Sequence, residues 1–212
     1  MEKEDIFILS AFLIFLVVVS GCISRNEPEY KVKDNLEVRN LKAVIILIPE
    51  NFRDEEFRIP REKLERAGVS VTVAGLKMDE ARGMLGMTVM PDTTIDNISV
   101  DDYDAIILPG GSGSPEYLWN NEDVHKILRE ANEKNKVIGA ICLSGAVLAN
   151  SGILKGKEAT VFPTEEAIKA LEDGGAIYKK ESVVVDGNIV TADGPQSADR
   201  FADEILRLLE SK

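Results

Sequence analysis

The chain has 212 residues, of which 44% are hydrophobic and 6% aromatic, so it can bury one substantial core and has room for one or two domains. Its formal charge is -12, and it has no basic stripe interleaved with aromatic residues, so nucleic acid is excluded as an expected partner. With a single histidine, only Cys22 and Cys142 as cysteines, and no zinc-type spacing, we expect no metal, no other cofactor and no structural disulfide.

The N-terminal part of the chain differs in character from the rest. Residues 6–21 form a nearly unbroken apolar run, short for a membrane-spanning helix but suited to the core of a secretory signal. The Val-Ser-Gly-Cys sequence that ends at Cys22 resembles a lipobox, which implies cleavage before Cys22, lipidation of its sulfur and an exported domain tethered to the membrane. We therefore predict a signal peptide or uncleaved membrane anchor at residues 1–21 and a polar tether at 22–40. A misassigned start codon would instead predict a cytoplasmic protein.

From residue 41 onward, apolar runs alternate with amphipathic segments. Strands are predicted at 42–49, 69–74, 105–108, 137–141 and 159–162, with an antiparallel flap of 87–90 against 93–98 and a hairpin of 183–186 and 189–192. Helices are predicted at 56–67, 121–133, 165–172 and 198–209, with another directly after Cys142. This alternation predicts one α/β domain over residues 41–212, a doubly wound and mostly parallel sheet with helices on both faces.

Cys142 stands at the end of an apolar, strand-like run and is followed by small residues. The pattern is typical of a nucleophile elbow, where strained backbone between a buried strand and a helix admits only small side chains two residues away. Ala140 and Ser144 meet that demand. A thiol at a helix N-terminus also faces unpaired N–H groups, so we expect a stabilised thiolate. The alternative interpretation of Cys142 is a small hydrophobic core residue.

Three loops are expected to meet at the carboxyl ends of the strands, namely residues 50–56, 109–115 and 142–145. The glycine-rich loop has neither the Lys-Ser/Thr pair of a P-loop nor the spacing of a dinucleotide fingerprint, so it does not indicate nucleotide binding. Its glycines would instead bring backbone N–H groups close to the sulfur. We predict that the N–H groups of Gly111 and Leu143 form an oxyanion hole.

Several short motifs together resemble the ThiJ/PfpI superfamily. They are Leu-Pro-Gly-Gly at 108–111, Pro-Glu at 115–116, Ala-Ile-Cys at 140–142, Asp-Gly-Asn-Ile-Val-Thr at 186–191 and Gly-Pro at 194–195. The resemblance covers residues 41–209. It implies a flavodoxin-like sandwich related to class I glutamine amidotransferases, usually a homo-oligomer, with a reactive cysteine at the elbow. It also implies a glutamate that hydrogen-bonds the sulfur, and Glu56 corresponds to it. Taken alone, Glu56 could be an ordinary first-turn acid favoured by the helix dipole.

The chain departs from the superfamily at its histidines. For members with protease, glyoxalase or deglycase activity, the resemblance implies a histidine either directly after the cysteine or in a later loop. This chain has Leu143 and Phe162 at those positions, and its one histidine, His125, is expected to face solvent from a helix. Loss of a general acid–base group commonly lowers the rate by about 10²-fold to 10⁴-fold. Glu56, with a pKa raised by burial, is the residue that could hold the proton instead.

The resemblance therefore implies a PfpI-like cysteine hydrolase that acts on a small-molecule or peptide substrate through peptidase, deglycase or glyoxalase chemistry. Two alternatives require no turnover. One is a redox-sensing or stress-protective protein whose Cys142 is oxidised, and the other is a binding domain. The sequence leaves open whether the chain is an enzyme.

Overall fold

The computed structural model describes residues 40–212, and their strands form one seven-stranded sheet and two smaller ones. The strands are β1 Lys42–Leu47, β2 Glu50–Phe52, β3 Ser70–Gly75, β4 Ala81–Gly83, β5 Thr88–Val89, β6 Thr93–Thr94, β7 Ala105–Leu108, β8 Val137–Ile141, β9 Glu158–Ala159, β10 Ile177–Tyr178, β11 Val183–Asp186 and β12 Ile189–Ala192. The helices are α1 Asp54–Arg66, α2 Ser114–Tyr117, α3 Glu122–Glu133, α4 Gly145–Asn150, α5 Glu165–Asp173 and α6 Ala198–Glu210.

The signal peptide or anchor predicted at residues 1–21, the lipidated Cys22 and all but the last residue of the predicted tether lie outside the described residues. Within residues 40–212, the longest helices are too short and too polar to cross a lipid bilayer.

The main sheet has the strand order β11-β12-β8-β7-β1-β3-β6 and is parallel except for β11, which pairs antiparallel with β12. Strands β7 and β8 are buried along their whole length, as expected of parallel strands covered on both faces. Helices α1 and α6 pack against each other on one side, and α3, α4 and α5 form the other layer. The predicted doubly wound, flavodoxin-like fold is confirmed.

Parallel pairing brings the carboxyl ends of β1, β7, β8 and β12 to one edge of the sheet. The loops that follow these strands therefore share that edge, which is where ligands of open α/β sheets bind. Cys142 follows β8 directly, so the predicted elbow lies at this edge.

The predicted antiparallel flap is wrong in its pairing. β5 pairs antiparallel with β4, whereas β6 joins the main sheet parallel to β3. The cause is a long-range contact, because the buried carboxylate of Asp54 accepts hydrogen bonds from the backbone N–H groups of Leu85 (2.9 Å) and Met87 (2.8 Å). Asp54 thereby holds the β4–β5 hairpin against the start of α1. The helix begins at Asp54, two residues earlier than predicted.

His125 does not face solvent as predicted, because it is only 6% exposed. It lies three residues before Leu128 and so shares the buried face of α3. Burial lowers the pKa of the imidazole, whose nearest charged neighbours are Glu122 and Arg129. None of these groups belongs to the strand-end loops around Cys142.

Candidate active site

Cys142 occupies a strained turn at the end of β8. Its φ is +59°, a left-handed conformation that costs an L-residue other than glycine roughly 1–2 kcal/mol. The side chain is 7% exposed, and the short turn Cys142–Ser144 leads directly into α4. This strand–turn–helix arrangement is the one expected of a nucleophile elbow.

Glu56 lies next to this sulfur and is completely buried in α1. Its Oε2 accepts a hydrogen bond of 2.9 Å from the Gly110 backbone N–H, while Oε1 has no partner. Burial raises the pKa of the carboxyl to about 7, although the hydrogen bond from Gly110 and the nearby Cys142 thiol act in the opposite direction. A carboxyl with such a pKa exchanges its proton near neutral pH.

The thiol itself is not acidified by its surroundings, in contrast to the expectation drawn from the helix N-terminus. Burial, and then the charge of Glu56, raise the pKa of Cys142 to about 12. The backbone N–H groups of Leu143 and Gly111 lie close enough to the sulfur to favour its anion, but their effect is smaller. The protonation state of Glu56 therefore adds to the effect of burial on the thiol, because a protonated carboxyl no longer repels the thiolate.

Glycine is required where the 109–113 loop passes the sulfur. A Cβ at Gly110 would lie 2.6 Å from the Ile141 carbonyl oxygen, 2.7 Å from the Cys142 Cβ and 2.8 Å from Oε2 of Glu56. Gly111 has a φ of +119°, and a Cβ there would overlap the backbone around Asn51. The predicted approach of this loop to the sulfur is thus achieved by packing that no larger residue permits.

Exposed apolar side chains border this edge of the sheet. Met84, at the tip of the β4–β5 hairpin, accepts a hydrogen bond from the Ser112 N–H through its sulfur at 3.5 Å, and it is 42% exposed. Phe162 is 40% exposed, and its backbone N–H donates to the Cys142 carbonyl at 3.3 Å. The two positions where a histidine was expected thus carry apolar side chains, Leu143 and Phe162, next to the elbow.

Comparison with known proteins agrees with this geometry. The sequence model of the DJ-1/PfpI family matches residues 42–208. The chain belongs to the DJ-1/PfpI family. An uncharacterized protein of Methanocaldococcus jannaschii is 44% identical over 202 residues, which cover 95% of this chain and 97% of the relative. A deglycase of Thermococcus kodakarensis is 32% identical over 166 residues, 78% of this chain and 98% of the relative. The crystal structure of a ThiJ/PfpI domain protein from Brachyspira murdochii has a TM-score of 0.76 at 29% identity, covering 81% of this chain and 97% of that chain.

The resemblance to the ThiJ/PfpI superfamily is therefore confirmed, and the structure brings together all four predicted site residues that it describes. Cys142 and Glu56 lie on the same side of Gly110, where an added Cβ would be 2.7 Å from the Cys142 Cβ and 2.8 Å from Oε2 of Glu56, and the N–H groups of Gly111 and Leu143 are near enough to the sulfur to lower its pKa. Within residues 40–212, no three His, Cys, Asp or Glu side chains are grouped so that they could hold a metal ion.

Three side chains support this DJ-1/PfpI site through hydrogen bonds that the sequence did not predict. Ser114 and Ser144 are fully buried and hydrogen-bonded to each other between the glycine loop and the elbow. The indole N–H of Trp119 donates to the Leu143 carbonyl at 2.9 Å. A small residue two positions after the cysteine was expected only on steric grounds, and no sequence pattern signals its hydrogen bond.

Proposed function

We propose that this DJ-1/PfpI protein is a cysteine-dependent enzyme that acts on reactive carbonyl compounds, with glyoxalase- or deglycase-type chemistry. The observation that carries the proposal is the buried carboxyl of Glu56 beside Cys142, with a pKa raised to about 7 and an oxygen, Oε1, that has no hydrogen-bond partner. A group of this kind can take the thiol proton and return it within one reaction.

The first step is addition of the sulfur of Cys142 to the carbonyl carbon of an aldehyde. A C–S bond forms, the C=O π bond becomes a C–O⁻ group, and the thiol proton moves to Glu56. The N–H groups of Gly111 and Leu143 stabilise the oxyanion. Glu56 then returns the proton to that oxygen, which gives a neutral hemithioacetal.

A peptidase is a weaker candidate for the same residues. Amide cleavage requires a donor that protonates the leaving amine, a role that histidine commonly fills. Here Leu143 and Phe162 occupy the positions where that histidine was expected. Addition to a free aldehyde, the glyoxalase-type reaction, expels no amine, so Glu56 alone can manage the proton. Deglycase-type chemistry releases an amine and would need Glu56 to protonate it as well, so the glyoxalase-type reaction is the favoured one. The name of the Thermococcus kodakarensis relative, a deglycase, also favours carbonyl chemistry.

The test uses the full chain in mild detergent with Cys22→Ser, so that Cys142 is the only thiol. We expect consumption of methylglyoxal above the protein-free rate, abolished by Cys142→Ser and reduced about 10²-fold or more by Glu56→Gln. Glu55→Gln is the matched control, because Glu55 is partly exposed and paired with Arg53. Consumption by the Cys142→Ser variant at the unsubstituted rate would refute the proposal.

A second candidate function is redox sensing or stress protection at Cys142. The unpaired Oε1 of Glu56 supports it, because a protonated carboxyl there could donate to an oxygen added to the sulfur. Treatment with hydrogen peroxide followed by mass spectrometry tests it. Sulfinic acid confined to Cys142, in a protein that consumes no aldehyde, would favour this function over the enzyme.

We also propose that the protein assembles into a homo-oligomer and that its N-terminal segment attaches it to a membrane. The first follows from the family resemblance and the second from the lipobox-like sequence at Cys22. Sedimentation of the purified protein tests the first proposal.

A further inference from the structure

Two buried serines connect the loops that carry the site. Ser114 and Ser144 are both fully buried, and their Oγ atoms are 2.9 Å apart. The Ser144 hydroxyl also donates to the Pro109 carbonyl at 2.7 Å. Ser114 begins α2 directly after the glycine loop, whereas Ser144 belongs to the elbow.

The direction of these hydrogen bonds follows from the proton count. The Pro109 carbonyl can only accept, so the single hydroxyl proton of Ser144 is used in that bond. Ser114 therefore donates to Ser144, and Ser144 donates to Pro109. All three residues are buried, so bulk water would not replace a hydrogen-bond partner that was removed.

The two hydrogen bonds of these serines lie next in sequence to the predicted oxyanion-hole residues. Ser144 follows Leu143, and Pro109 is two residues before Gly111, the two residues whose N–H groups face the sulfur of Cys142. The bond between Ser144 and Pro109 therefore links the two segments that carry these donors.

We propose that Ser144, supported by Ser114, is a positioning residue that holds the N–H groups of Gly111 and Leu143 in register with the sulfur of Cys142. The role rests on the proposed function only in taking this sulfur as the reacting atom. It acts through the two peptides, since neither serine hydroxyl is exposed to a substrate.

The test measures the rate constant for alkylation of Cys142 by iodoacetamide in the full chain with Cys22→Ser. The pH is varied from about 6 to about 10, on both sides of the free thiol pKa of about 8.5. We expect Ser144→Ala to slow alkylation about tenfold across this range, because the thiolate loses part of its stabilisation by the two N–H groups and a tenfold loss corresponds to a rise of about one unit in the thiol pKa. Ser114→Ala leaves the bond to Pro109 in place, so it should produce a smaller change in the same direction.

Ser151→Ala is the matched control. Ser151 directly follows α4, at the end of the helix opposite to the elbow; it is 5% exposed and donates to the Leu148 carbonyl at 2.8 Å. Its loss removes one buried hydrogen bond and should lower the melting temperature, but it should leave the alkylation profile unchanged. A Ser144→Ala profile equal to that of the unsubstituted protein, or an equal shift in Ser151→Ala, would overturn the proposal. If Ser144→Ala does not fold, the alkylation profile of Ser114→Ala tests the proposal by the same criteria.

The two proposals fail separately. Slower alkylation without any aldehyde consumption supports the positioning role and refutes the carbonyl enzyme. If the unsubstituted protein consumes aldehyde but the Ser144 and Ser114 variants have an unchanged alkylation profile, the carbonyl enzyme is supported and the positioning role is refuted.

Discussion

Replacing Glu56 by glutamine should separate thiol reactivity from turnover at this site. Glutamine has nearly the same shape, can still accept from the Gly110 N–H, and carries no charge. In the unsubstituted protein, the pair formed by Glu56 and Cys142 loses its first proton near pH 7, and that proton comes mainly from Glu56 because the pKa of the thiol is about 12. Between those values the carboxylate repels any thiolate. The variant lacks this repulsion, so the pKa of its thiol should fall.

The expected size of the change follows from the charge separation. Two unit charges about 4 Å apart at an effective dielectric constant of about 20 interact by about 4 kcal/mol, nearly a thousandfold in the acid dissociation constant. Partial solvent screening reduces this figure, whereas loss of the direct interaction between carboxyl and thiol, which also raises the pKa of Cys142, adds to it. We therefore expect Glu56→Gln to alkylate at least about tenfold faster than the unsubstituted protein near pH 8, while its aldehyde consumption falls.

The assay is iodoacetamide alkylation of the Cys22→Ser protein, followed by intact mass. The unsubstituted protein should show two steps with rising pH, one near 7 and one near 12, whereas Glu56→Gln should show one step at intermediate pH. Glu55→Gln should behave as the unsubstituted protein does. Alkylation of Glu56→Gln at the same or a lower rate at every pH, in a protein with an unchanged melting curve, would refute this electrostatic reasoning.

Three further predictions follow. The pKa of Glu56 is about 7 in the folded protein against an ordinary 4.5, so the stability from its protonated form is complete below about pH 4.5 and lost as the pH rises to 7. Urea unfolding should show a loss of about 3 kcal/mol over that window that is absent in Glu56→Gln, and equal pH profiles would contradict the burial of this acid. Asp54→Ala should lower the free energy of unfolding by roughly 1–3 kcal/mol and speed hydrogen exchange at the N–H groups of Leu85 and Met87. Unchanged exchange at these two groups would contradict the role of Asp54 in holding the β4–β5 hairpin. If Cys22 is lipidated, the intact mass of the unsubstituted protein should lack residues 1–21 and include a lipid, whereas Cys22→Ser should retain residues 1–21 without lipid, and an unsubstituted protein that retains residues 1–21 without lipid would refute the prediction.

Elements whose signal is local were predicted well. β7 and the hairpin of β11 and β12 have the predicted bounds, because an apolar run and a Gly-Asn turn define them without help from distant residues. β4 and β10 were missed, because segments such as Ala-Arg-Gly have no strand pattern of their own. Contacts with distant parts of the chain make them strands, and no single-sequence signal encodes such contacts.

In the site, too, local sequence patterns predicted the positions of residues but not the effects that depend on distant contacts. The positions of Cys142 and Glu56 followed from the elbow pattern and the superfamily resemblance, but the electrostatics did not. An N–H group near a thiol favours the anion, whereas burial and a neighbouring carboxylate oppose it, and their balance depends on depth and distance. The buried position of His125 was in fact available from the sequence, since its spacing to Leu128 is that of one helix face.

Two energetic costs coincide at this edge of the sheet, and their coincidence argues for chemistry at Cys142. The cysteine adopts a left-handed φ of +59° that glycine would adopt without strain, and a glycine there would fit the same turn. The fully buried acid of Glu56 lowers stability above neutral pH, which an apolar residue of the same size would avoid. Neither cost improves the packing of the fold. A site that keeps a strained thiol in contact with a carboxyl that titrates near neutral pH is better explained by proton transfer at the sulfur than by architecture.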